Sequence, residues 1–150
     1  MSHVISYRPT RIAIALLAAT TVLWHLSPPD TMVHMPYKLI TTICIATGFT
    51  IMMAAWLQFK KSDVAICPTA ETDLIVTNGL YRYSRNPMYL GMLLMLLGTS
   101  FFMGTIPAML APAVFFLMID KIFIPYEEKD LLASFGDEYN EYIEGTRRWL

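Results

Sequence analysis

The feature that most constrains this chain is a long stretch without charge. From Met88 to Ile119 no residue is charged, and these 32 residues would extend about 48 Å as one helix. The hydrocarbon core of a bilayer is only about 30 Å thick, so a single upright helix cannot use the whole stretch. Turn-forming and helix-breaking residues lie in its middle: Gly98, Thr99, Ser100, Gly104, Thr105 and Pro107. The stretch is therefore predicted to fold back as two helices in a tight hairpin.

Two further uncharged stretches precede this one, and composition agrees with a membrane protein. The chain is 55% apolar and only 15% charged, whereas soluble domains carry about 25% charged residues. The sequence predicts an all-α integral membrane protein that forms a single domain over residues 1–150. Its four predicted transmembrane helices lie near residues 12–26, 39–59, 88–103 and 106–124.

Charge and metal-ligating residues exclude several other classes. The net charge is -1, and the basic residues are too dispersed to track a nucleic-acid backbone. Cys44 and Cys67 do not form a Cys-x-x-Cys pair, and the three histidines are far apart in the sequence. We therefore expect neither a nucleic-acid partner nor a bound metal.

A polar segment before the third predicted span contains local structural signals. A β-like run, residues 74–77, precedes the turn dipeptide Asn78-Gly79. Pro87 suits the first turn of the following helix, where its missing N–H costs nothing. Asn86 is then expected to be the N-cap of that helix.

A second polar segment follows the fourth predicted span. Apolar residues recur at helical spacing from Leu131 to Ile143, which predicts an amphipathic cytoplasmic helix near residues 126–144. Its polar face is strongly acidic, whereas a helix that adsorbs to anionic lipid is basic. We therefore expect it to dock on protein, with Arg82 and Arg85 as its positive counterparts.

Simpler interpretations of these charges remain open. Arg82 and Arg85 are also explained as cytoplasmic flanking charges of a transmembrane hairpin, with the nearby tyrosines in an interfacial belt. Glu127 and Glu128 are also explained as acidic residues in a first helical turn, where the helix dipole favours them.

Both segments carry a recognisable motif. The first motif runs from Leu74 to Gly91 and contains Arg85-Asn86-Pro87, and the second runs from Glu127 to Tyr142 and begins with two adjacent glutamates. In this order, separated by one helical hairpin, they resemble the paired signature of the isoprenylcysteine carboxyl methyltransferase and phospholipid methyltransferase superfamily.

The resemblance implies an enzyme that binds S-adenosylmethionine from the cytosol and methylates a lipophilic or small apolar acceptor at the membrane. It implies catalytic roles for Arg85 and Glu128. The cofactor-binding residues that it implies are Gly79, Tyr83, Arg85, Asn86, Pro87, Tyr89, Gly91, Glu127 and Glu128.

The first motif departs from the family in two places. The eukaryotic prenylcysteine enzymes have Arg-His-Pro where this chain has Asn86 between the arginine and the proline, and Leu80 replaces a common proline. Asparagine can supply one hydrogen bond of a neutral histidine but cannot shuttle a proton. The asparagine form is common in small bacterial members, which implies a bacterial inner membrane.

Three functions remain open from the sequence. The favoured one is the methyltransferase, whose acceptor atom is undetermined among a carboxylate, an amine and a thiol. The second is an NADPH-dependent membrane reductase of the sterol-reductase type, since those proteins have a related C-terminal architecture. The third is a non-catalytic membrane protein that keeps the fold. The sequence gives no indication of oligomeric state.

The distribution of basic residues predicts the orientation. With four spans, ten of the eleven Lys and Arg residues fall on the side of both termini, and only Lys38 falls on the other side. The positive-inside rule therefore places both termini in the cytoplasm.

Reporter fusions test this orientation. A cytoplasmic reporter should be active after Leu150 or within residues 63–73, and a periplasmic reporter should be active near Pro28, because the basic residues keep their side of the membrane. An extracytoplasmic C-terminus would separate both motifs from a cytosolic cofactor and would contradict the prediction.

Overall fold

The computed structural model describes residues 8–26, 35–61 and 75–150. Within these ranges it contains six α-helices, a 3-10 turn at Gly79–Arg82 and a π-helical turn at Ile119–Phe123. The α-helices are α1 (Arg8–Leu26), α2 (Met35–Lys61), α3 (Pro87–Met103), α4 (Ile106–Met118), α5 (Ile124–Phe135) and α6 (Asp137–Gly145). The described part of the chain is all-α, as the sequence predicts.

Helices occupy all four predicted spans. By length and composition, Lys38–Lys61 and the continuous helix Ala108–Phe135 are able to cross a membrane. Pro9–Val22 and Pro87–Met103 are apolar but shorter. These helices support a location in the membrane, and the four-span arrangement stays a prediction.

The most extensive helix pair, α2 with α3, depends on two facing glycines. A Cβ atom on Gly48 would lie 2.7 Å from the carbonyl oxygen of Gly91, and one on Gly91 would lie 2.6 Å from that of Gly48. Both distances are too short for real carbon–oxygen contacts. The two backbones therefore touch because neither residue has a side chain, as is common between membrane helices.

The third and fourth helices form the tight hairpin that the sequence predicts. Only Gly104 and Thr105 separate α3 from α4. The hydroxyl of Ser100 lies 2.8 Å from the carbonyl oxygen of Leu96 and 2.7 Å from that of Ala108, so it connects the two helices across the turn.

The main core lies where α1, α3 and α4 meet the π-helical turn. Its buried members are Ala13, Leu96, Phe115, Ile119, Phe123 and Ile124. The π-helical turn has a local cause, because Pro125 has no N–H to donate to the carbonyl oxygen four residues earlier. Ile124 instead donates its N–H to Ile119, five residues earlier, and the helix continues into α5.

The structure corrects the single helix predicted near residues 126–144. That helix is divided into α5 and α6 at Gly136, whose φ of 53° lies in the left-handed region. Glycine adopts this conformation without the steric cost that a Cβ atom brings. The break turns α6 back toward the first motif.

The predicted β-like run is also wrong within the described residues. Ile75 to Thr77 form no strand, and Leu74 lies outside the described residues. Val76 instead packs with Ala55 of α2 and with Tyr81. Burial against a helix thus replaces the strand pairing that the pattern suggested.

Substituting Gly48 with alanine tests the helix contact. Gly48→Ala should lower the midpoint of thermal unfolding in detergent, because the added methyl group meets backbone and overpacking typically costs about 1–3 kcal/mol. The control is Gly145→Ala, since a Cβ there meets no atom within 4 Å. Equal midpoints for the two variants would contradict the close approach of α2 and α3.

Candidate active site

The first motif is held against the end of α2 before it enters α3. Gln58 of α2 accepts a hydrogen bond from the N–H of Leu80 at 3.1 Å and donates its amide to the carbonyl oxygen of Asn78. The 3-10 turn follows, and Pro87 occupies the first turn of α3. The backbone thus fixes where Arg85 emerges.

Arg85 connects the first motif to the end of α6. Its Nη1 atom donates to the carbonyl oxygens of Ile143 and Thr146, each at 3.1 Å. Its Nη2 atom donates to Oε1 of Glu128 at 3.0 Å. The side chain is only 11% exposed, so these are strong, partly desolvated contacts. The Nε atom of Arg85 is buried and has no hydrogen-bond partner in the part of the chain that the structure describes.

Glu128 is shared between two arginines. Besides the bond from Arg85, it accepts two bonds from Arg148: Nε to Oε1 at 3.2 Å and Nη2 to Oε2 at 2.7 Å. These hydrogen bonds raise the pKa of the Arg148 guanidinium above its usual range. The expected docking of the acidic segment on Arg85 is therefore present. Arg82, the other expected counterpart, is exposed and lies outside this cluster.

The segment after α6 closes the cluster from the other side. The carbonyl oxygen of Arg147 accepts a hydrogen bond from the backbone N–H of Arg85 at 3.0 Å. The carbonyl oxygen of Arg148 accepts one from the side-chain amide of Asn86, also at 3.0 Å. Asn86 occupies the predicted N-cap position of α3, but its side chain forms no cap hydrogen bond. Asn86 instead holds the C-terminal segment.

Asp120 anchors the same segment to the π-helical turn. Its Oδ1 atom accepts a hydrogen bond from Nε1 of Trp149 at 3.0 Å and lies 3.5 Å from Nη1 of Arg148. The Trp149 ring packs on Phe116, with ring centroids 5.1 Å apart. Arg148, Trp149 and Asp120 were absent from the sequence prediction. The available signals were the two arginines at the end of the chain and the acidic residue that ends the longest uncharged stretch.

Glu127 has different surroundings from Glu128. It accepts a hydrogen bond from the hydroxyl of Tyr89 at 2.6 Å, and both side chains are half-buried. No arginine pairs with Glu127 among the described residues. The two adjacent glutamates therefore have separate partners.

The remaining residues implied by the resemblance lie apart from this cluster. Tyr83 is 71% exposed. Gly91 faces Gly48 in the contact between α2 and α3. Gly79 lies against Gln58 with a φ of 59°. Arg85, Tyr89, Glu127 and Glu128 are the implied residues that make side-chain contacts between the two motifs. The side chain of Asn86 instead contacts the C-terminal segment.

Two tyrosines of α6 complete the contact with the first motif. The hydroxyl of Tyr142 donates to the carbonyl oxygen of Tyr81 at 2.6 Å, and Tyr139 is only 2% exposed. Burial raises the pKa of both Tyr139 and Tyr142 to about 12. Both phenols are therefore neutral hydrogen-bonding groups at physiological pH.

A cleft of about 470 Å³ lies beside Arg85 and is otherwise lined by residues 143–148. This volume lies within the range of about 300–1,000 Å³ that is typical of small-molecule sites.

Among the residues that the structure describes, no three His, Cys, Asp or Glu side chains lie close enough to hold a metal ion.

Comparison with known families identifies the family of this chain. Residues 36–138, more than half of the chain, match the model of the phospholipid methyltransferase family. The chain belongs to this family. The matched region contains Arg85, Glu127 and Glu128 and ends before the C-terminal segment that carries Arg148.

Individual relatives include proteins named as methyltransferases. A protein-S-isoprenylcysteine O-methyltransferase of Schizosaccharomyces pombe is 39% identical over 72 residues, which is 46% of this chain and 29% of that protein. A second one, from Arabidopsis thaliana, is 39% identical over 48% of this chain and 36% of its own length. An uncharacterised protein of Haemophilus influenzae is 43% identical over 42% of this chain and its own whole length.

The chain spans less than half of the length of the isoprenylcysteine methyltransferases that it matches. No solved structure matches it. Family membership and the apolar helices together support a membrane methyltransferase.

Removing one hydroxyl tests the contact between α6 and the first motif. Tyr142→Phe should destabilise the protein by about 0.5–1.5 kcal/mol, because the carbonyl of Tyr81 loses its donor. Thermal unfolding in detergent measures the change, with exposed Tyr126→Phe as the control. Equal unfolding midpoints for the wild type and Tyr142→Phe would mean that α6 is not held by this bond.

Proposed function

We propose that this protein transfers a methyl group from S-adenosylmethionine to a lipophilic or small apolar acceptor at the cytoplasmic face of the membrane. The observation that carries the proposal is the buried Nε atom of Arg85, which has no hydrogen-bond partner among the described residues. A buried donor without a partner costs free energy, so it calls for a ligand acceptor. This donor lies between the two motifs of a methyltransferase family.

The residues around Arg85 fit the charged end of this cofactor, which carries one carboxylate and one ammonium group. Nε and Nη2 form one edge of the Arg85 guanidinium and suit a carboxylate with two parallel hydrogen bonds. Glu127 suits the ammonium group, because it accepts one bond from Tyr89 and is not paired with an arginine among the described residues. Glu128 holds Arg85 in place before the ligand binds.

The cofactor supplies a methyl group on a sulfonium, which is already reactive toward a nucleophile. The protein therefore needs no covalent nucleophile of its own, and its contribution is to orient the two reactants and exclude water. In this proposal Arg85 binds the cofactor and Glu128 positions Arg85 before the cofactor binds, which refines the catalytic roles expected from the sequence.

The acceptor is proposed by class only. The names of two relatives point to a carboxylate on a prenylated cysteine, and the family name points to a phospholipid. An acceptor of either class has a long apolar part that remains among membrane lipids while its polar end reaches the site. We further propose that four helices span a bacterial inner membrane with both termini cytoplasmic, so that the site faces the cytosol.

Ligand-induced stabilisation tests the cofactor. S-adenosylhomocysteine should raise the unfolding midpoint of the purified protein in detergent with increasing concentration, because it binds only the folded protein. At a hundredfold excess over Kd the free energy of unfolding should rise by about 2.7 kcal/mol. NADPH is tested in the same way as the comparison ligand. Stabilisation by NADPH alone would favour a reductase, and stabilisation by neither ligand would favour a non-catalytic protein.

Substituting Arg85 tests the site itself. Arg85→Lys should weaken binding of S-adenosylhomocysteine roughly tenfold to a hundredfold, since lysine keeps the charge but loses the planar pair of donors. Calorimetry on the folded variant measures the affinity, and exposed Arg82→Lys is the control. Unchanged affinity in Arg85→Lys, with the unfolding midpoint intact, would show that the cofactor binds elsewhere.

A further inference from the structure

The two arginines that share Glu128 do so unequally. Arg148 donates from Nε and Nη2 to the two oxygens of Glu128, which is the two-bond arrangement of a guanidinium with a carboxylate. Arg85 donates to Glu128 from Nη2 alone. The corresponding Nε atom of Arg85 has no hydrogen-bond partner within residues 8–26, 35–61 and 75–150. Of the two donors on the Nε and Nη2 edge of the Arg85 guanidinium, only Nη2 forms a hydrogen bond among the described residues.

The charges in this cluster explain why a second arginine is needed. If Glu128 had Arg85 alone, a ligand carboxylate that took the Nε and Nη2 edge of Arg85 would leave Glu128 without a cation. A partly buried carboxylate without a partner is costly, and two carboxylates on one guanidinium repel each other. With Arg148 present, two arginines balance Glu128 and the incoming carboxylate. The neighbouring carboxylate of Asp120 is paired with Lys121 at 3.0 Å.

Arg148 is fixed in place before any ligand arrives. Its guanidinium lies 3.5 Å from Asp120, and its carbonyl oxygen accepts the amide of Asn86 at 3.0 Å. The next residue, Trp149, is held by Asp120 and by Phe116. The backbone of Arg148 and the side chain of Trp149 are therefore both anchored. Because of this, Arg148 does not need to move when Arg85 changes partner.

We propose that Arg148 is a positioning residue of the candidate site, which retains Glu128 while Arg85 exchanges its Glu128 contact for the carboxylate of the ligand. The proposal rests on the proposed function and extends it to a residue outside the family match, which ends at residue 138. It predicts that Arg148 matters for the carboxylate of a ligand and not for its nucleoside.

A pair of ligands separates this role from a structural one. The first is S-adenosylhomocysteine, and the second is its decarboxylated analogue, which keeps the ammonium group, the thioether and the adenosine. Arg148→Gln should weaken the first ligand about tenfold or more, the size of one lost charge-assisted contact, and the second less than about threefold. Calorimetry in detergent measures both affinities.

Lys129→Gln is the matched control, because it removes one positive charge next to Glu128 from an exposed side chain. It should leave both affinities unchanged. Arg148→Lys should give an intermediate loss for S-adenosylhomocysteine alone, since lysine keeps the charge without the two parallel bonds. Arg148→Lys also replaces Arg148→Gln as the test if the glutamine variant does not fold.

Each outcome decides between the two roles. Equal losses for both ligands would overturn the proposal and leave Arg148 a structural residue, and unchanged affinities in both Arg148 variants would overturn it as well. A wild-type protein that binds neither ligand would instead refute the proposed function. The two failures are therefore distinguishable.

Discussion

The interaction on which the site depends is the placement of one carboxylate, that of Glu128, between two arginines. It joins the start of α3, the helix α5 and the C-terminal segment, which are far apart in the sequence. The side chains of Arg85 and Glu128 are 11% and 18% exposed, so both charges are largely desolvated. Charges this poorly hydrated persist only when paired, so the three segments hold one another in place.

The helix frame brings these partners to one end of the molecule. The hairpin of α3 and α4 returns the chain to the level at which it began, so the first motif before α3 and the second motif after α4 are adjacent. The facing glycines Gly48 and Gly91 hold α3 against α2, and Gln58 of α2 holds the loop before Arg85. Apolar packing thus sets the position of the motifs, and hydrogen bonds set the orientation of their side chains.

The sequence was sufficient to predict the helices and the pairing of Arg85 with the acidic segment. It did not predict the contacts that depend on the three-dimensional fold. Uncharged length and turn residues predict α1 to α4 because they act locally. The pairing of Arg85 with the acidic segment follows from opposite charge on one side of the hairpin. It is Arg85 and not Arg82 that pairs with Glu128, and this depends on how α6 turns back at Gly136. The contacts of Arg148 and Asp120 depend on the same turn. No local pattern specifies that direction.

Asn86 is the position at which the first motif departs from the prenylcysteine enzymes. Its contact also depends on the three-dimensional fold and not on a local pattern. Its side-chain amide donates to the carbonyl oxygen of Arg148 and does not cap α3. A neutral histidine also has one N–H to donate, so either residue is able to hold the C-terminal segment. For this contact one hydrogen-bond donor at the position is sufficient. Asparagine is therefore compatible with an intact contact between the first motif and the C-terminal segment.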